Sequence, residues 1–549
     1  MCAVKIQDST QGVNLFSLCI IGVCMTFSVC YISTEHNIYY WDYIDYQITF
    51  QEFGELLKTS IVKFIFKLHS SVASSEYNAV PILLPLIFYD IFGSNRTVYI
   101  ASLLCIYYIP SCLSLIYIIE KYNKHINTNF LISIIFLFTP FLYPTLRGYP
   151  GIGGLIPLSI ALYIALFYDI HKKVCLKNMF IIGVMIYICF LFRRWYIFTV
   201  ISFYISYFLY NIFYHVKSYK IILYNIIISG MTTLALVLIF QFPLIFRTIT
   251  TNYYYAYTAF SSGILANIKE LFNALPGFQW LCIICAAIYE ILYIKEKKCL
   301  FLILFVSILI ITFNSMQHAD PQHRLPIFYI LIFIFLKAIS DFNYQCHNMA
   351  LKYTLACLIV GAFLFNFLWT FSIGMSTCFP SFFIQSEKAY PLKHPEYEGL
   401  VELTNTLKNI IKKYNAKITI FGTSGVLNES MIRTQLGKKY NGSILSTSQI
   451  DQRDGIPTNS LRANFVVITN PIQYQFSPNV HTVITIPSQK ILHGKGIGKA
   501  FEQYKEPYDI GNGIHATIYR RLRDFTYEEW QDYINSFPAE HINWYSKNR

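Results

Sequence analysis

Charged residues are scarce in this chain. Only 13% of its 549 residues are Asp, Glu, Lys or Arg, whereas a soluble protein of this length carries about a quarter. Hydrophobic residues make up 55% of the chain, and they fall in blocks close to membrane-spanning length. This composition excludes an ordinary soluble protein and predicts a polytopic α-helical membrane protein.

Cysteine is absent from the polar C-terminal part of the chain. The 14 cysteines lie almost entirely within hydrophobic segments or at their ends, and the last is Cys378. This distribution argues against a disulfide framework, because thiols buried among apolar residues usually behave as small hydrophobes. His318 and His323 are five residues apart in a Pro-containing loop, which is poor spacing for a helical metal pair. We therefore expect that no metal or other cofactor is required.

No small-residue cleavage site is evident after the first apolar run, so we expect an uncleaved first helix with its N-terminus in the cytoplasm. The formal net charge is +13, and much of it comes from lysines in alternate short loops, the pattern of cytoplasmic loops. Nucleic acid is therefore not an expected partner. About 11 spans are predicted, at 13–32, 97–119, 128–143, 155–168, 179–192, 195–213, 221–242, 278–294, 299–313, 326–339 and 353–373.

The segments outside these spans divide the chain into two predicted domains. Residues 1–378 form a transmembrane domain with a first outer loop at 33–78, and residues 379–549 form an outer α/β domain. An amphipathic surface helix is predicted at 50–68 and a short half-embedded helix at 79–92. Strands of the outer domain are predicted at 418–421, 465–469, 482–486 and 516–519.

Two aspartates, Asp42 and Asp45, follow the first span within an aromatic run. Carboxylates at the edge of a bilayer are costly unless they are paired, solvated or functional. One of them can serve as a general base that takes a proton from an attacking hydroxyl. The sequence does not decide which one is the base, and a pair of solvated loop acids remains the alternative.

Other ionisable residues collect on the same predicted face of the membrane. Arginines there can bind a phosphate with two hydrogen bonds, or they can be interfacial residues that reach towards the headgroups. A transporter would instead place polar residues near the bilayer midplane. The candidate substrate-binding and phosphate-binding residues are Glu76, Arg147, Arg193, Arg194, His318, His323 and Arg324.

These features together resemble the GT-C superfamily of membrane glycosyltransferases, which includes protein O-mannosyltransferases and the aminoarabinose transferases of lipid A. One helix leads into a long outer loop with the acidic motif Trp41-Asp42-Tyr43-Ile44-Asp45-Tyr46. A stretch that starts at Glu76 closes in Phe92-Gly93, and about ten spans and an outer α/β domain follow. The adjacent Asp-Glu pair common in the family is absent, since two residues separate the acids here.

The resemblance implies a hexosyltransferase that moves a sugar from a polyprenyl-phosphate carrier to a cell-surface glycan such as lipopolysaccharide O-antigen. Reaction would occur at the periplasmic face of a bacterial inner membrane, with the C-terminal domain in the periplasm. By this likeness Asp42 is the first candidate for the base and Asp45 the second. The expected partners are the lipid-linked sugar, a glycan acceptor and membrane lipids. An O-antigen polymerase or ligase and a lipid-linked-sugar transporter or flippase are the alternatives.

Overall fold

The computed structural model describes residues 15–122, 127–294, 298–372, 382–385, 387–456 and 458–538. The chain divides into two compact units. The first comprises the described residues of Met1–Ser33, Tyr46–Thr251 and Ser262–Tyr390, and the second those of Thr34–Asp45, Asn252–Ser261 and Pro391–Arg549. The predicted domain boundary, between residues 378 and 379, lies outside the described residues.

Helices account for nearly all of the regular structure before residue 391. In chain order they are α1 Leu15–Ser33, α2 Asp42–Thr59, α3 Ile61–Ser74, α4 Leu86–Phe92, α5 Arg96–Leu103, α6 Ile109–Tyr122, α7 Thr128–Phe136, α8 Thr139–Leu146, α9 Leu155–Phe167, α10 Leu176–Phe192, α11 Ile197–His215, α12 Tyr219–Thr250, α13 Tyr253–Ala256, α14 Ile264–Asn273, α15 Gly277–Leu292, α16 Lys298–Asn314, α17 Leu325–Gln345 and α18 Met349–Phe371. Helix α13 and the first four residues of α2 belong to the second unit, and the others belong to the first.

Several of these helices are suited to a bilayer. Within the described residues, six helical stretches are long and apolar enough to cross a membrane, and two bent pairs bring the number to as many as eight. The bends are 48° between α7 and α8 and 105° between α14 and α15, while α10 and α16 are shorter apolar helices. The described residues of the predicted spans are almost all helical, but the span predicted at 128–143 is divided between α7 and α8. The chain is thus a multi-pass helical protein, although length and composition do not fix the number of crossings at 11.

The predicted surface helix at 50–68 is wrong in its extent, because the structure has two helices there. Helix α2 begins at Asp42, and the break falls at Ser60, whose extended backbone opens α3 while its side chain accepts a hydrogen bond from the Lys63 amide. Such a serine satisfies one of the free amides at the start of a helix. The half-embedded segment at 79–92 is divided into a 3-10 turn at Val80–Ile82, which contains Pro81, and the short α4, which follows Pro85.

The second unit contains a five-stranded sheet. Its strands are β1 Ile418–Phe421, β2 Phe465–Asn470, β3 Phe501–Gln503, β4 Tyr508–Asp509 and β5 His515–Arg521. The order is β1-β2-β5-β3, with β4 also paired to β5. Strands β1 and β2 are parallel in the register Ile418 to Phe465, and the other pairs are antiparallel. Its helices are α19 Tyr397–Tyr414, α20 Glu429–Leu436, α21 Asp451–Asp454, α22 Thr482–Leu492 and α23 Tyr527–Asn535.

The predicted strand at 482–486 is wrong, since these residues begin helix α22. The carboxylate of Asp451 accepts hydrogen bonds from the Thr482 amide and hydroxyl and from the Val483 amide. These bonds satisfy the amides that a helix start leaves free. A cap supplied from 31 residues away has no signature in the local sequence, whose β-branched residues indicated a strand.

Candidate functional site

Arg193 and His323 form a buried pair in the first unit. Arg193 follows directly after α10 in an extended conformation, and it is only 2% exposed. Its Nη2 lies 3.0 Å from Nε2 of His323. Because a guanidinium has only donors, His323 must accept with Nε2 and carry its proton on Nδ1. That Nδ1 lies 3.9 Å from a carboxylate oxygen of Asp320.

Burial, together with the neighbouring Arg193, keeps the histidine of this pair neutral. Burial lowers the pKa of His323 well below 6.5, and the neighbouring Arg193 lowers it further. Burial on its own would raise the pKa of Asp320, but the hydrogen bond from His318 and the positive charges nearby bring it down to about 2. His318 Nε2 lies 3.3 Å from Asp320, whose side chain remains 41% exposed. The cluster therefore offers one ionised carboxylate at its open edge and a guanidinium at its buried end.

Arg194 lies next to Arg193, and the Tyr77 ring contacts both. Each guanidinium carbon is 5.7 Å from the centre of that ring, a distance at which cation–π attraction operates. Arg193 also lies 5.4 Å from the Tyr149 ring. Arg194 forms an ion pair with Glu76, and Arg247 lies 4.0 Å from the same carboxylate. Glu76 therefore orients an arginine, and Arg193 and Arg194 are presented side by side.

Arg147 and Arg324 have different partners within the first unit. Arg147 ends α8, is buried, and donates a hydrogen bond of 2.5 Å to the Tyr390 carbonyl. Arg324 forms an ion pair of 2.6 Å with Glu387 and donates to the Ala319 carbonyl. Both arginines thus fasten residues 387–390 to the helices, and the charge of Arg324 also helps to lower the pKa of Asp320.

The glycine-rich turn after Arg147 serves close packing. A Cβ on Gly153 would lie 2.3 Å from the Phe192 ring and 2.6 Å from the Tyr107 ring. Tyr196 donates a hydrogen bond of 2.9 Å to the Gly151 carbonyl. Only residues without a side chain allow aromatic rings so near. This packing fixes the end of α10, where Phe192 directly precedes Arg193.

Asp42 and Asp45 lie in the second unit, on the first turn of α2. Burial raises the pKa of Asp45 to about 7, with further contributions from Asp42 and Glu429. Its side chain is nevertheless exposed to solvent. Asp45 can therefore exchange protons near neutral pH.

The C-terminal domain anchors the segment that carries these acids. Ile38 is 2% exposed and packs in the hydrophobic core of the second unit. The Thr434 hydroxyl donates a hydrogen bond of 2.9 Å to the Tyr39 carbonyl, and the His36 amide donates to the Leu392 carbonyl at 2.8 Å. Glu429 is itself fixed, since its oxygens accept from Arg433 Nε and the Thr447 amide, both at 2.7 Å.

Sequence reasoning missed the contributions of Tyr77, Tyr149 and Glu429. Tyr77 follows a named candidate, Glu76, and Tyr149 lies in the glycine-rich stretch, so position was their only signal. Glu429 carried none, because it is one carboxylate among many in the C-terminal part. Within the described residues, no three His, Cys, Asp or Glu side chains are grouped so as to hold a metal ion.

Comparison with known proteins identifies the fold. No protein-family model matches the chain, and no curated protein matches its sequence. A crystal structure of ArnT from Cupriavidus metallidurans, bound to undecaprenyl phosphate, matches 91% of this chain and 97% of that chain, with a TM-score of 0.50 and 9% identity. Fold class is what such a likeness establishes: a polytopic helical membrane protein with a C-terminal sheet domain. The fold class predicted from the sequence is confirmed, apart from the number of spans, and the chain shares the fold of the ArnT structure.

Proposed function

We propose that this protein is a membrane glycosyltransferase that moves one sugar from a polyprenyl phosphate to a cell-surface glycan of the O-antigen type. The reaction would take place at the periplasmic face of a bacterial inner membrane. The observation that carries the proposal is the pair Arg193 and Arg194, held side by side at the end of the apolar helix α10. The ArnT structure, whose fold this chain shares, holds undecaprenyl phosphate, which supports a lipid phosphate as the ligand.

In this proposal the two arginines bind the phosphate of the donor lipid. Two planar guanidiniums provide a set of N–H donors that match phosphate oxygens. Their orientation is set before substrate arrives, because Arg194 is paired with Glu76 and Arg193 with neutral His323. Donors fixed in advance stabilise negative charge as it develops on a leaving group. The phosphate gains charge as the sugar departs, so the arginines favour bond cleavage.

Asp45 is the proposed general base. Its pKa of about 7 suits proton transfer at neutral pH, since a base works best with a pKa near the working pH. The acceptor oxygen forms a bond to the anomeric carbon, and the bond from that carbon to the phosphate oxygen breaks. The electron pair leaves with the polyprenyl phosphate, and the hydroxyl proton passes to Asp45. Asp42 holds either the acceptor or the Asp45 side chain in position.

Single substitutions separate these roles. Arg193→Gln is expected to weaken binding of undecaprenyl phosphate to the purified full-length protein. Asp45→Asn is expected to preserve that binding and to abolish glycan modification, measured as glycan mass in the producing cell. Asp524→Asn is the matched control, because this carboxylate is 94% exposed in the same unit. If Asp42→Asn and Asp45→Asn cells both modified the glycan as wild type does, the proposed catalysis would be excluded.

A further inference from the structure

Trp41 stands directly before Asp42 in an unusual conformation. Its φ is 47°, in the left-handed region that side-chain-bearing residues rarely adopt. The Trp41 carbonyl accepts hydrogen bonds from the Ile44 amide at 3.0 Å and the Asp45 amide at 3.2 Å. The conformation therefore starts the helix that carries the two acids. Glycine meets that backbone requirement with less strain, so starting the helix does not explain why an indole is here.

The indole N–H of Trp41 is the second unusual feature. Its Nε1 is buried, and none of the residues that the structure describes provides an acceptor within hydrogen-bond distance. Buried tryptophans usually find a partner for this group, as Trp280 does by donating to the Phe272 carbonyl at 2.9 Å. A buried donor without an acceptor costs free energy. A ligand that brings an oxygen to this position recovers that cost.

The surroundings of Trp41 indicate what kind of ligand this is. Tyr40 packs its ring perpendicular to the indole at 4.9 Å and lies 5.1 Å from the Tyr43 ring. Asp42 follows in the chain, and both Asp42 and Glu429 act electrostatically on Asp45. Three carboxylates repel an anionic phosphate. A sugar ring is neutral, its hydroxyls can accept from an indole and donate to carboxylates, and its C–H faces pack on aromatic rings.

We propose that the Trp41 indole N–H donates a hydrogen bond to a hydroxyl of a substrate sugar, beside the aspartate that takes the proton. The inference rests on the proposed glycosyltransferase function. The sugar belongs either to the donor lipid or to the acceptor glycan, which share this chemistry. Trp41→Phe removes the N–H and keeps an aromatic ring, so it tests the bond itself.

The experiment compares wild type, Trp41→Phe and Trp280→Phe as full-length proteins in lipid nanodiscs. Two probes are titrated: undecaprenyl phosphate, and the undecaprenyl-phosphate sugar extracted from the producing cell. A lost neutral hydrogen bond predicts about 3- to 15-fold weaker binding. If Trp41→Phe loses this factor for the sugar-bearing lipid alone, the sugar is the donor's. If it binds both lipids as wild type does but slows glycan modification in cells by the same factor, the sugar is the acceptor's.

Two outcomes would overturn the inference. Equal weakening for both lipids would mean that Trp41 contacts the phosphate, and wild-type behaviour in binding and in cells would mean that only a water meets the indole. Trp280→Phe should bind both lipids normally and melt at a lower temperature, whereas Trp41→Phe should not melt lower than wild type. If the wild-type protein bound neither lipid, the proposed glycosyltransferase function itself would fail. That result differs from the two outcomes that would overturn the role of Trp41.

Discussion

Glu429 should contribute to the pH dependence of this protein's activity. Asp45 must be deprotonated to accept a proton, so activity should rise with pH through the Asp45 pKa of about 7. Glu429 is a negative charge that raises this pKa. Glu429→Gln removes the charge and keeps an oxygen that can accept from Arg433 or the Thr447 amide. The substitution should therefore lower the Asp45 pKa and move the acid limb of the profile to lower pH.

The expected change in the midpoint pH is small, because Glu429 is not the main cause of the raised Asp45 pKa. Burial contributes most to raising the Asp45 pKa from 3.8 to about 7, Asp42 comes next, and Glu429 comes third. Removing one nearby negative charge, screened by solvent at this exposed residue, should lower the Asp45 pKa by about 0.5 to 1 pH unit. At pH 6 the deprotonated fraction of Asp45 should rise from about 10% to about 25–50%. Activity at pH 6, relative to its plateau, should rise by the same factor.

The assay is the initial rate of sugar transfer at constant ionic strength. The pH is varied from about 5 to 9, a range that brackets the Asp45 pKa. Glu502→Gln removes the same charge from an exposed position on β3 and should leave the midpoint in place. Asp42→Asn, if it retains activity, should also move the midpoint to lower pH. An unchanged midpoint in Glu429→Gln, or an equal displacement in Glu502→Gln, would refute the reasoning.

Three further substitutions test other parts of the account. Lys337→Met should destabilise the protein by about 3–5 kcal/mol, because it removes the cation that binds the buried Glu290 carboxylate and Asp341, each at 2.7 Å. A thermal melt should show partial recovery in the Glu290→Gln, Lys337→Met double variant, and its absence would contradict the assignment. Asp451→Ala should cost about 1–2 kcal/mol by removing the cap of α22, a loss that chemical denaturation would reveal and that Asp524→Ala should not reproduce. Arg193→Lys should lower the transfer rate about 10²- to 10³-fold, since the ammonium of lysine cannot form the paired hydrogen bonds of a planar guanidinium. Kinetics equal to wild type would show that Arg193 does not bind the phosphate.

The membrane part of the fold could be predicted because its signal is local. A long run of apolar residues is itself the signal for a helix in lipid, so almost all described residues of the predicted spans are helical. The break between α7 and α8, inside the span predicted at 128–143, was not predicted. Strands β1, β2 and β5 were also located, since they are short apolar runs of β-branched residues. Helix α22 was missed because its cap comes from Asp451, far away in sequence. Strands β3 and β4 were missed because they are only three and two residues long.

The candidate site could be predicted only in part, for a similar reason. Charges in an apolar chain stand out, which is why Arg193, Arg194 and Asp45 were candidates from sequence. Their partners do not stand out: Tyr77 is one tyrosine of 44, and Glu429 lies 384 positions after Asp45. Proximity between such residues arises from the tertiary fold, and so do the neutral state of His323 and the raised pKa of Asp45.

The most direct test of the central claim is to measure both products of one reaction. The full-length protein in nanodiscs would receive the undecaprenyl-phosphate sugar and glycan acceptor extracted from the producing cell. Mass spectrometry should show one sugar added to the acceptor for each undecaprenyl phosphate released, and Asp45→Asn should show neither product. An acceptor of unchanged mass with wild-type protein, or equal yields from the wild type and from both Asp42→Asn and Asp45→Asn, would contradict the account.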